Sequence, residues 1–70
     1  MKNVRFLNSE GGVYVFVDEG GDNYYLDVDD INLKGVNKNF FDSFYFCKKI
    51  KVLFREKDGR KLITEVVSFK

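Results

Sequence analysis

Three aromatic side chains, Tyr14, Phe16 and Tyr25, lie on two short apolar runs, 13–17 and 24–28, that flank the acidic Gly-Gly turn 18–23. Strand side chains alternate between faces. If Val13, Val15 and Val17 point to one side, Tyr14 and Phe16 point to the other. Across the turn, Leu26 then goes inward with Tyr24 or Val28, and Tyr25 joins the aromatic face. Rings on the open face of a sheet can stack nucleobases, at ~1–3 kcal/mol per base and with little regard to which base it is. The same rings under a covering segment are ordinary cross-strand pairs, worth roughly 0.2–1 kcal/mol each. The chain carries its own candidate cover, because Phe40, Phe41, Phe44 and Tyr45 all fall within residues 36–47. Two uses of the hairpin therefore stand open, a stacking platform and half of a packed sandwich.

The cations are placed to matter for either use. Lys48, Lys49, Lys51, Arg55, Lys57, Arg60 and Lys61 surround the last apolar hairpin. Such residues contact phosphates, or they protect a strand edge against pairing with another chain. The net charge of +1 conceals an asymmetry, with −5 over residues 1–31 and +6 over residues 32–70. In a barrel whose fourth strand pairs with its first, Lys49 and Lys51 would neighbour Arg5 and Phe6.

Other chemistries lack their residues. There is no histidine, so the lone Cys47 has no imidazole partner, and Gly20-Gly21 is too short and too acidic for a phosphate loop. Asp27-x-Asp29-Asp30 fails as a calcium loop, because the positions that need Gly and Glu are Asn32 and Lys38. The expectation is a protein that is not an enzyme and uses no metal or other cofactor. A single cysteine argues for a reducing compartment. No apolar leader and no run of membrane-spanning length is visible. The expected location is the cytoplasm, with no membrane partner.

These residues need a frame. The 70 residues are 44% hydrophobic and 17% aromatic, which suits one folded domain spanning 1–70. Residues 3–8 read as a first strand with Val4 in the core, and Gly11-Gly12 closes a turn into the hairpin. Residues 29–39 break the alternation. Phe40, Phe41, Phe44 and Tyr45 then share a helical face behind an Asn37 or Asn39 cap. Alternation returns with Ile50, Val52 and Phe54 inward and Lys49, Lys51 and Arg55 outward. Asp58-Gly59 is a strong hairpin turn, and 62–69 is the last strand. A meander, a long connection with a short helix, and a terminal hairpin describe an all-β fold. The expectation is a small five-stranded antiparallel barrel of the oligonucleotide/oligosaccharide-binding (OB) type, with an SH3-like barrel as the rival.

The first 31 residues also resemble the bacterial cold-shock domain. Val4-Arg5-Phe6-Leu7-Asn8-Ser9-Glu10-Gly11-Gly12 is similar to that family's opening strand, and Tyr14-Val15-Phe16-Val17 and Tyr24-Tyr25-Leu26-Asp27-Val28 stand where its two ribonucleoprotein motifs stand. The match requires one residue inserted at Gly11-Gly12. The resemblance implies an OB barrel that binds single-stranded RNA or DNA by stacking. Arg5 would take the family's Lys slot, and Phe6, Tyr14, Phe16 and Tyr25 its aromatic slots. The family's loop Phe has no secure match, with Phe40 or Phe41 as candidates; Lys49 and Lys51, placed beside Arg5 by the barrel pairing, would add phosphate contacts. Asp27 and Val28 depart from the family's His and Phe, and Gly11 from its Lys. The alternative is a protein-interaction module in which the aromatic face or the 32–48 connection docks a protein or closes a homodimer.

Overall fold

The computed structural model describes residues 1–70. Five strands, β1 (Lys2–Glu10), β2 (Val13–Val17), β3 (Asn23–Asp27), β4 (Ile50–Lys57) and β5 (Arg60–Phe69), close into a barrel in the order β1-β2-β3-β5-β4. The helix α1 (Lys38–Ser43) and a 3-10 turn (Phe44–Phe46) fill the β3–β4 connection. No helix is long and apolar enough to cross a membrane. The expected all-β barrel is present, and one detail is corrected. The barrel is not wholly antiparallel, because Tyr24 and Tyr25 pair in parallel with Lys61 and Leu62. Because β4 is antiparallel to β1 and β5 antiparallel to β4, β5 runs in the direction of β1 and β3, so the pairing that closes this five-strand ring is parallel.

Turn chemistry sets the hairpins. Gly11 and Gly12 both have positive φ (54° and 83°), as do Asp58 and Gly59 (54° and 78°). Two consecutive left-handed residues match the twist of the strands they join, which explains Gly-Gly and Asp-Gly at these points. The first turn is tighter than the sequence suggests, and β1 runs to Glu10, which pairs with Val13.

The β2–β3 turn is tied by Asp18. Its Oδ1 accepts the backbone N–H groups of Gly20 (2.9 Å) and Asp22 (3.0 Å), and its Oδ2 accepts the hydroxyl of Tyr24 at 2.7 Å. Lys2 Nζ lies 3.9 Å away. The Tyr24 hydrogen bond, aided by the two backbone donors and Lys2, outweighs desolvation and holds the Asp18 carboxyl below its ordinary 3.8. Burial, with the Asp18 bond and charge, pushes the Tyr24 phenol up to about 12.

The core is aromatic. Phe16, Tyr24, Leu26, Phe40, Ile50 and Val52 have no exposed surface, and Phe6, Tyr14, Phe41 and Phe69 pack against them. As expected, Ile50 and Val52 face inward on β4, and Asn37 caps α1 by accepting the Phe40 N–H at 3.0 Å. The fold thus spends most of its rings on the interior.

Candidate nucleic-acid interface

The hairpin presents the opposite face from the one expected. Phe16 pairs with Tyr24 and Phe6, Tyr14 pairs with Leu26, and these side chains point into the barrel or under the helix. Val13, Val15 and Val17 take the other side, where Val15, between Asn8 and Tyr25 in the ladder, is still only 4% exposed and Val13 and Val17 are half-buried. The strand alternates as expected, with the two faces exchanged. Both faces of β2 are apolar, and burying rings rather than valines removes more apolar surface from water. The cover is the connection itself. Phe44 lies 4.8 Å edge-on from Phe6 and 4.9 Å from Tyr14 in a stacked arrangement, and Phe40 lies 6.4 Å from Phe16.

The expected stacking residues therefore need correction. Phe16 and Phe40 are fully buried and offer no ring to a base, while Phe6 and Tyr14 are half-buried beneath Phe44. Tyr25 does face outward. It pairs with Val15 on one side and Leu62 on the other, and the Arg60 guanidinium sits 5.1 Å from its ring centroid. Arg60 and Tyr25 are thus held together by a cation–π contact.

The expected cations are exposed, and two of them converge. Val4 pairs with Ile50 and Asn3 with Lys51, so β1 and β4 lie side by side. Arg5 and Lys49 line one groove, together with Lys48 and, on its far wall, Asp18 and Glu19. Lys51 lies one step along β4, between Asn3 and Ser68. Lys70 joins them through backbone hydrogen bonds, its C=O accepting from Lys48 N (2.8 Å) and its N–H donating to Lys49 O (3.0 Å). None of Arg5, Lys48, Lys49, Lys51 and Lys70 is within 4.0 Å of a carboxylate partner, since the ion pairs belong to Lys2, Lys38 and Lys61.

Two residues beside this cluster were not anticipated as site residues. Tyr45 and Phe46 are 59% and 62% exposed, with ring centroids 4.6 Å apart at 73°. The sequence placed Tyr45 on the buried helical face. After Ser43 the chain tightens from an α-helix to a 3-10 turn, which changes the angular step per residue. Phe44 stays inside, and Tyr45 and Phe46 swing out. Phe46 is held from both sides, because Phe44 and Cys47 are each 8% exposed. The one sequence signal is Lys48-Lys49, separated from Phe46 only by Cys47, since charged residues this close show that the chain is reaching the surface.

A second groove lies at the far end of β4, where Tyr25, Leu62, Arg55 and Lys57 face Asp27, Asp29 and Asp30. Two of these carboxylates are committed to local turns, Asp27 accepting Asp29 N–H (3.0 Å) and Asp30 accepting Asn32 N–H (2.9 Å).

Comparison with protein-family models, with curated proteins and with solved structures finds no match to this chain.

Proposed function

We propose that this chain is an OB-type barrel that binds single-stranded RNA or DNA on its outer surface. Tyr45 and Phe46 stack with bases, and Arg5, Lys48, Lys49 and Lys51 contact phosphates. The observation that carries this reading is the exposed Tyr45–Phe46 pair, followed after Cys47 by Lys48 and Lys49, cations with no carboxylate partner. A strand of nucleic acid complements these residues, with phosphates for the unpaired cations and flat π-faces for the two rings, while Asp18 and Glu19 line the same groove as Arg5, Lys48 and Lys49. A protein partner fits less well, because protein interfaces are depleted in lysine at their centres. The OB assignment is supported by the strand order, the parallel β3–β5 closure and the helix between β3 and β4. The stacking platform implied by the cold-shock resemblance is not retained in this reading. Arg5, which that resemblance named, is retained, as are Lys49 and Lys51, expected from the pairing of the fourth strand with the first.

Each exposed stack contributes ~1–3 kcal/mol, so Phe46→Ala is expected to weaken binding about 5- to 150-fold. Anisotropy of labelled oligo-dT and oligo-U, measured from low to high salt, tests the reading. Log affinity should fall with log salt at a slope of about −0.7 per phosphate contacted, or roughly −3 for four cations. No binding of either oligomer at low salt and high protein concentration overturns it. Sedimentation showing a dimer that Phe46→Ala dissolves would instead assign the patch to a second copy of the chain.

A further inference from the structure

Resting on that reading, we infer that the bound strand runs along the outer face of β4, from the Tyr45–Phe46 pair to the Tyr25–Arg60 pair. The two register shifts between β4 and β5 fall on β5, where Val67 and Thr64 are the extra residues, so β4 keeps unbroken alternation. With Ile50 and Val52 fully buried and Phe54 half-buried, the outward series is Lys51, Leu53, Arg55 and Lys57, all exposed. Alternate strand residues repeat every ~6.6 Å, comparable to the reach of one extended nucleotide, and Lys51 to Lys57 covers about 20 Å. The row therefore presents a cation, an apolar side chain and two further cations to a strand lying along it.

The row has an aromatic station at each end. Tyr45 and Phe46 precede it in the chain, five and four residues before Ile50, in the 3-10 turn that leads into β4. At its finish, Arg55 pairs with Leu62, Leu62 pairs with Tyr25, and Arg60 lies on the Tyr25 ring at 5.1 Å. Asp27, Asp29 and Asp30 line the same groove as Tyr25, Arg55 and Lys57. These carboxylates repel phosphates and confine the path to the β4–β5 side of the barrel. The acidic first half of the chain then acts as a wall, and the basic second half as the track.

A length series of oligo-dT tests the track against an Arg55→Ser/Lys57→Ser double variant, whose two sites are exposed and do not support the core. Affinity for the wild type should rise with length until the oligomer spans both stations. The double variant should bind the longest oligomer more weakly, with its salt slope reduced by about 1.4, and bind a trinucleotide as the wild type does. Phe46→Ala should weaken both. If the double variant matches the wild type in affinity and slope at every length, the track is refuted and the Tyr45–Phe46 site stands. If no oligomer of any length binds the wild type at low salt, the nucleic-acid reading itself fails.

Discussion

Replacing Phe16 by Ala separates a core ring from a binding ring, because the two roles predict opposite outcomes. Phe16 has no exposed surface and lies against Phe6 (5.7 Å), Phe44 (6.1 Å) and Phe40 (6.4 Å). Truncation leaves a cavity whose walls are a strand on one side and α1 with its 3-10 turn on the other. Such changes cost ~3–5 kcal/mol. A 70-residue domain has roughly 4–10 kcal/mol of stability in total, so Phe16→Ala should remove a large part of it. With a urea m-value near ~1 kcal/mol/M, the midpoint should fall by about 3–5 M or the protein should not fold. Phe46→Ala, at a 62% exposed ring, should move the midpoint by no more than about 0.5 M. Urea unfolding followed by circular dichroism reads both variants. A Phe16→Ala protein of wild-type stability that has lost oligonucleotide binding would refute the inward register, and with it the relocation of the site to Tyr45 and Phe46.

Two further predictions concern the frame. Gly35 has φ of +77°, and a Cβ there would collide with the Val66 carbonyl oxygen, between residues that hold Lys34 to β5 through Lys34 N–Thr64 O and Val66 N–Lys34 O. Left-handed strain of ~1–2 kcal/mol plus two disturbed hydrogen bonds at ~1 kcal/mol each puts Gly35→Ala at about 3–4 kcal/mol, readable in the same urea experiment. The Tyr24–Asp18 bond predicts a pH dependence at both ends. The Tyr24 phenol is raised to about 12, so its contribution is complete below the ordinary 10.0 and is lost as pH rises from there to about 12. The Asp18 carboxyl is lowered, so its contribution is complete above 3.8 and is lost as pH falls below that value. Melting temperature against pH should show both losses in the wild type. In Tyr24→Phe the alkaline loss from this phenol should vanish and the acid loss should shrink, because the largest cause of the Asp18 shift is gone.

Local chemistry made much of the fold legible in the sequence. The Gly11-Gly12 and Asp58-Gly59 turns, the Asn37 cap and the inward set Ile50, Val52 and Phe54 each follow from one residue type or one period. The failures share a cause, which is that local signals do not carry sign or long-range partners. Alternation in 13–17 was plain, but valines on one face and rings on the other left both orientations open, and the decision lay in α1, more than twenty residues away. The parallel β3–β5 pairing has no local signature either. At the site, exposure of Lys49 and Lys51 followed from the β4 period. The exposure of Phe46 depended on an α-to-3-10 transition that no periodicity announces, so the two most exposed aromatics were the hardest to find.

The central claim is that the ligand surface lies at Tyr45 and Phe46 and not on the hairpin rings. Chemical-shift mapping with oligo-dT at low salt tests it most directly. The account predicts the largest changes at Tyr45, Phe46, Lys48 and Lys49, with the ring signals of Phe16 and Phe40 unmoved. Changes centred on Phe6, Tyr14 and Phe16, or none anywhere, would contradict it.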